Sequence, residues 1–283
     1  MLNNDLNKSG ITLVIGSGAI KCAASLGMWQ VLVEENIDVD MVVGCSAGSI
    51  YGAGIALGMS LEEIRYWSEK TWTTELMQDY IINLKASKDG SLKYNERSGL
   101  VNDSVLNSRY KDIFGERTFD DLKTPFIVVA TDMMNGEKIA ISEGKLFDAV
   151  RASSALPLIF PPWEINGKLL VDGAASDPFP VDTAIKNGAG IIIGMGFLID
   201  YRTRLNSLTA VQEQMTAIYM NNILKASFAF NNLAHHSEIF TIIPEFDGPL
   251  SMFDIKKIPA IIERGAEATR KQIPHIKKLL SSL

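Results

Sequence analysis

Gly44-Cys45-Ser46-Ala47-Gly48 decides how the rest of this chain is read. A β-type run from Val39 to Val43, interrupted only by Asp40, leads into it, and a helix-like run from Ala47 to about Leu57 leads out. A strand, a sharp turn carrying a serine and a helix make the G-x-S-x-G nucleophile elbow. Such a turn strains the serine backbone and brings the residues two before and two after it together. Glycine at 44 and 48 removes the Cβ atoms that would collide there. The turn also lifts Ser46 Oγ onto the N-terminus of the following helix, where unpaired N–H groups and the helix dipole favour a developing negative charge. Ser46 is therefore the candidate nucleophile.

Upstream, Ile11 to Ile15 is a β-type run broken by Gly16-Ser17-Gly18. A helical pattern follows from about Ile20 to Glu35, with Leu26, Trp29 and Val33 near helical spacing and Asn36 where a helix usually ends. Strand, glycine turn, helix, strand, helix is a parallel βαβ opening. Parallel strands put both turns at one sheet edge, so Gly16–Gly18 is expected beside Ser46, at the edge where open α/β sheets bind ligands. A dinucleotide fingerprint G-x-G-x-x-G fails, because the sixth position is Lys21. The glycine turn is then either a nest of N–H groups for an oxyanion or a plain tight turn, and the neighbouring serine favours the nest.

Downstream, residues 60–114 read as a polar-mixed helical insertion with an exposed loop at Lys85–Ser91, serving as a lid or partner surface or simply as packing. Phe126–Thr131, ending in Asp132, pairs with Lys138–Ser142 across Asn135-Gly136, a strong hairpin signal. Leu146–Ala155 reads as a helix stopped by Pro157 and Pro161-Pro162. Trp163–Ile165 and Leu169–Val171 flank Asn166-Gly167, and the second run ends in Asp172-Gly173-Ala174. Alone, that aspartate reads as a turn-former. Ile191–Met195 is a buried strand, and Leu205 to about Leu233 a long helix whose apolar stripe is read as core, with a lid or membrane-contact surface as the alternative. Ile239–Ile243 is the final strand, and residues 205–283 are otherwise helical, with a break at Pro274. From Asp254 onward, seven Lys/Arg face three Asp/Glu. A solvated helix face is the default reading of that excess, and weak docking to anionic lipid the sharper one.

The 283 residues carry no linker, repeat or charge block, so one domain over 11–283 is expected after a polar tail at 1–10. A net charge of −6 argues against a nucleic-acid partner. Cys22 and Cys45 lack metal-ligand spacing and read as inert buried thiols. No signal peptide is expected, and the longest near-apolar run, Ile191–Ile199, is far short of the ~20 residues of a membrane span. A soluble cytoplasmic protein is the expectation.

A serine nucleophile needs a base. The histidines are His235, His236 and His275. The order Ser46, Asp172, His235 fits an α/β-hydrolase triad, but only one βα unit precedes Ser46, and His235–His236 sit at a helix end before Ser237-Glu238. The other option is that Asp172 takes the proton directly. A carboxylate of ordinary pKa near ~3.9 is a weak base, so burial and a dry site would have to help.

Four segments, in order, resemble the patatin-like phospholipase family. They are Gly16-Ser17-Gly18-Ala19, Gly44-Cys45-Ser46-Ala47-Gly48, Ala152-Ser153-Ser154-Ala155-Leu156-Pro157 with Phe160-Pro161, and Asp172-Gly173-Ala174. The resemblance spans roughly residues 10–200. It implies an α/β fold, a three-layer αβα sandwich with a central, mostly parallel sheet, and a Ser-Asp dyad with Ser46 as nucleophile and Asp172 as base. It makes the Gly16, Ser17, Gly18, Ala19 loop the oxyanion hole, with Gly44, Gly48, Gly173 and Lys21 supporting the motifs. Lys21 and Cys22 stand where many members carry arginine and glycine, and lysine keeps the charge without the bidentate fork. The implied activity is hydrolysis of carboxylic esters of lipids through an acyl-serine, with no metal or organic cofactor, a lipid or ester substrate and peripheral contact with a membrane. The competing readings are a small-ester or thioester hydrolase and a non-catalytic lipid-binding module on the same fold.

Overall fold

The computed structural model describes residues 10–77, 80–88, 93–234 and 238–282, so the tail 1–9, residues 89–91 of the expected loop, and His235 and His236 lie outside the described residues. The opening unit is β1 (Ile11–Ile15), α1 (Ala24–Glu34) and β2 (Met41–Cys45), followed by α2 (Ala47–Ala56). α1 starts later than its apolar pattern, because residues 19–23 first form a 3₁₀ turn, a common prelude to an α-helix. Then come α3 (Leu61–Thr71), started by a reciprocal Ser60–Glu63 capping box, α4 (Tyr80–Lys88) and α5 (Ser104–Phe114). Residues 85–88, expected in a loop, continue α4.

β3 (Phe126–Asp132) and β4 (Lys138–Ile141) form the expected hairpin, and α6 (Leu146–Ser153) follows. The chain continues through β5 (Trp163–Ile165), β6 (Lys168–Asp172), α7 (Val181–Lys186), β7 (Ile191–Met195), α8 (Leu208–Ala234) and β8 (Glu238–Ile242). It closes with α9 (Ile258–Arg270) and α10 (Ile273–Leu280). Pro259 and Pro274 each stand in the first turn of a helix, where the missing N–H has no intrahelical partner to lose. No helix among the described residues is long and apolar enough to cross a membrane.

β8, β7, β1, β2 and β3 are mutually parallel, while β4 and β6 run antiparallel to β3 and β5 pairs with β6. The sheet is thus mixed but mostly parallel. The period-2 alternation of strand side chains sorts the core in two. Leu13, Ile15, Val42, Val128, Ile191 and Ile193 face the layer of α1, α2, α6 and α9, whereas Val14, Val43, Val129 and Ile192 face α7 and α8. Helices on both faces of one sheet make the three-layer sandwich.

One detail of register builds the site. Val129 of β3 pairs with Cys45 on one edge and Ala140 on the other; the next residue, Ala130, pairs with Ile139 and with Asp172. β4 occupies one edge throughout, so β6 takes over the opposite edge of β3 where β2 leaves it. The ends of β2 and β6 meet head-on, which brings Ser46 to Asp172.

Four of the seven basic residues of the tail are ion-paired. Arg270 and Lys277 pair with Glu34 and Glu35 of α1, Arg264 with Asp247 and Glu267, and Lys257 with Asp254. Lys256, Lys271 and Lys278 make no ion pair among the described residues.

Candidate active site

Ser46 occupies the N-cap position of α2 at φ +56°, ψ −132°, a sparsely populated conformation for a residue with a Cβ. Its hydroxyl does not cap the helix. Ser46 Oγ instead donates to Asp172 Oδ2 at 2.5 Å. The glycines are required by close approach: a Cβ on Gly44 would stand 2.7 Å from Ser49 Cα, and one on Gly48 would stand 2.5 Å from the Gly16 carbonyl oxygen. That second contact also fixes the glycine turn beside the elbow, as parallel pairing requires.

Asp172 is 1% exposed. Its Oδ1 accepts from the Ala174 N–H at 2.9 Å, and its own carbonyl accepts from Thr131 Oγ1 at 3.1 Å. Burial pushes the Asp172 carboxyl up to about 6, against the opposing pull of the bonds from Ser46 and Ala174. The carboxylate is thereby a stronger base than an ordinary aspartate, yet still ionised at neutral pH. Burial first, then the nearby Asp172 charge, push the Cys22 and Cys45 thiols up, so both stay protonated and unreactive.

The glycine loop departs from expectation. The Gly16 N–H donates to the Met195 carbonyl at 3.0 Å and the Ser17 N–H to the Pro178 carbonyl at 2.8 Å. Both are used up in holding the loop to the sheet and cannot serve an oxyanion. The N–H groups of Gly18 and Ala19 have no partner among the described residues, and both residues line the cleft that holds Ser46. Ala19 sits at φ +48°, a second strained backbone in the same turn.

Lys21 is nearly buried, and its Nζ donates to the Leu198 carbonyl at 2.9 Å and to Asp200 Oδ2 at 2.7 Å, with the Phe246 ring 5.6 Å away. It braces the glycine loop against residues 198–200. Its ammonium is engaged within the protein, which leaves the Gly18 and Ala19 N–H groups as the loop's unpartnered donors.

Two residues without an assigned role in the sequence reading support the site. Ser153 Oγ accepts from the Ser46 N–H at 2.8 Å and donates to the Val129 carbonyl at 2.6 Å, tying the elbow to β3. Arg151, wholly buried, donates to Asp103, Asn107 and the Pro161 carbonyl and lies 5.1 Å from the Trp163 ring. It fastens α5 to α6 and to the segment that follows. A lone arginine between Val150 and Ala152 in an apolar helix pattern was the available signal for it.

Ser153→Ala is expected to lower kcat about 10–100-fold with KM little changed, because a nucleophile displaced by a fraction of an ångström loses its attack geometry. The Ser46 N–H and Val129 carbonyl would be left unpaired in a dry interior, each costing about 1–3 kcal/mol. Steady-state kinetics and thermal melts of the variant check both effects.

The site opens into a cleft of about 1660 Å³, whose walls include Leu156, Leu158, Tyr80, Leu198, Met215 and Tyr219. Among the described residues no histidine lines it. The chemistry assembled is a serine hydroxyl bonded to a buried carboxylate, at a helix N-terminus, beside two unpartnered N–H groups in a largely apolar cleft.

The chain is similar to several known proteins. An uncharacterized NTE family protein of Mycobacterium tuberculosis is 27% identical over 219 residues, covering 77% of this chain and 57% of that protein. Patatin-like phospholipase domain-containing protein 7 of Rattus norvegicus is 31% identical over 192 residues, covering 67% of this chain and 14% of that protein. The chain therefore spans little more than half the length of the first of these relatives and a small part of the second. The crystal structure of VipD from Legionella pneumophila superposes with a TM-score of 0.51 at 16% identity over 95% of this chain and 67% of that one, a likeness of fold. The family description Patatin-like phospholipase matches residues 13–185, a span that holds the glycine turn, the serine elbow and Asp172. By that match, the chain belongs to the patatin-like phospholipase family.

Proposed function

We propose that the protein is a serine lipid acyl hydrolase working through a Ser46–Asp172 dyad, with residues 11–283 as one catalytic domain. The observation that carries this reading is the 2.5 Å bond from Ser46 Oγ to a carboxylate that burial has made more basic. Ser46 Oγ attacks the acyl carbonyl as its proton passes to Asp172 Oδ2. The oxyanion is met by the N–H groups of Gly18 and Ala19 and by the positive end of α2. Collapse of the tetrahedral intermediate expels the alcohol, which takes the proton from Asp172. Water, deprotonated by Asp172, then attacks the acyl-serine and releases the fatty acid with Ser46 restored. The apolar walls of the cleft suit an acyl chain, and the match to the family supports a lipid ester over a small polar one.

Fluorophosphonate labelling with site mapping by mass spectrometry, beside hydrolysis assays on phospholipid vesicles and a short-chain ester, tests the proposal. Labelling at Ser46 with vesicle hydrolysis is expected. Labelling with turnover of the short ester alone would make the protein a simple esterase, and a folded protein with neither labelling nor turnover would make it a lipid-binding module.

A further inference from the structure

Half of the large apolar side chains that stand exposed among the described residues fall within 198–219, so their exposure is a local feature and not general surface character. α8 accounts for much of it. Ala210, Ala217 and Leu224 on one face are buried, while Leu208, Val211, Met215 and Tyr219, spaced by three and four residues, form a stripe on the exposed face. Leu208 is 68% exposed, Tyr219 59%, and Leu205, just before the helix, 50%. An apolar stripe on the outer face of a helix whose inner face already serves the core is not explained by folding.

Two further observations bear on what covers it. The stripe runs into the cleft: Val211, Met215 and Tyr219 line it together with the exposed Leu158 on another segment. The local charge does not share the sign of the molecule: residues 198–234 contain Arg202, Arg204 and Lys225 against Asp200 and Glu213, in a chain of net charge −6. Arg202 pairs with Glu213, and Arg204 makes no ion pair among the described residues. An apolar ridge flanked by cations, open to the reaction cleft, matches a bilayer with anionic headgroups, since apolar burial and headgroup attraction act on the same face.

We infer that residues 198–219, with Leu158, form the surface by which the protein docks onto an anionic membrane, so that a lipid passes from the bilayer into the cleft without crossing water. This rests on the lipid-hydrolase reading of the cleft, but it is tested through binding alone. Residues 198–219 are then the membrane-facing part of the chain.

The test is sedimentation of the full chain with vesicles of equimolar phosphatidylcholine and phosphatidylglycerol, and with vesicles of phosphatidylcholine alone. Wild type and Ser46→Ala are expected to bind the anionic vesicles equally, so a failure of docking and a failure of catalysis give different results. Leu205→Asp/Leu208→Asp alters side chains at the surface, should melt at the wild-type temperature, and is expected to weaken binding on the order of 100-fold, from the loss of two leucines' apolar burial. Arg204→Gln is expected to weaken binding about fivefold, the usual contribution of one basic residue near such a surface, and added salt should do the same. No binding by the folded wild type would overturn the inference, and unchanged binding by the double variant would overturn the assignment of this face. A wild-type dimer that the double aspartate variant converts to monomer would also overturn it, by showing that a second copy covers the stripe.

Discussion

Ser46→Ala is expected to abolish lipid ester turnover, a loss on the order of 10⁶-fold, the magnitude found when a serine hydrolase loses its nucleophile. The proposed oxyanion donors and the cleft remain, so any residual rate reports binding and electrostatics without covalent catalysis. The variant should stay folded, because alanine keeps the Cβ and therefore neither adds to nor relieves the strain at φ +56°. The tie from the residue 46 N–H to Ser153 is a backbone bond and survives. What changes is Asp172, which loses a donor that had been pulling its pKa down, so it holds a proton to higher pH. The change in stability at pH 7 should stay within about 1–2 kcal/mol, the scale of one hydrogen bond to a charged group. Ester hydrolysis and thermal melting on the same preparation decide the matter; wild-type turnover in a purified Ser46→Ala protein would mean that the dyad reading is wrong.

The elbow was legible in the chain because its constraint is local. Two glycines at fixed spacing between a β-type and a helical run report a crowded turn, and the structure places backbone atoms where their Cβ atoms would stand. The two Asn-Gly turns were legible for the same reason. Residues 85–88 were not, since Lys-Ala-Ser-Lys reads as polar punctuation although lysine and alanine are good helix formers, and α4 runs through them. The proposed oxyanion donors were only half legible. Glycines announce a nest, but which N–H groups stay free depends on the carbonyls of Met195 and Pro178, far away in the chain. The roles of Ser153 and of the Lys21–Asp200 brace are hidden likewise, because their partners lie more than a hundred residues away. The meeting of Ser46 and Asp172 itself depends on β6 running antiparallel and taking over an edge of β3, a register that no local pattern encodes.

Asp172→Asn is expected to cut turnover by 10²–10⁴-fold, the contribution of a positioned general base, while making the protein more stable at neutral pH. The two effects share one cause. Burial raises the carboxyl from its ordinary 3.8 to about 6, so ionised Asp172 is held in a setting that disfavours its charge. The folded state binds a proton more tightly than the unfolded chain between those two values. Stability from this group is therefore fully present below about pH 4 and is lost as pH rises through about 6. At about 1.4 kcal/mol per pKa unit, the loss at pH 7 is about 3 kcal/mol as an upper bound. Asparagine carries no charge and can still accept from the Ala174 N–H through Oδ1 while its amide donates to Ser46 Oγ, so it should recover much of that loss. Catalysis runs the opposite way with pH, because the base must be ionised to accept the Ser46 proton. kcat/KM of the wild type should rise about tenfold per pH unit up to a midpoint near 6 and then level off. Thermal melts from pH 4 to 8 should show the wild type falling relative to Asp172→Asn across the same interval in which its activity appears. A flat stability difference together with a flat activity profile would mean that Asp172 does not titrate there, and the base would then have to be sought elsewhere in the cleft.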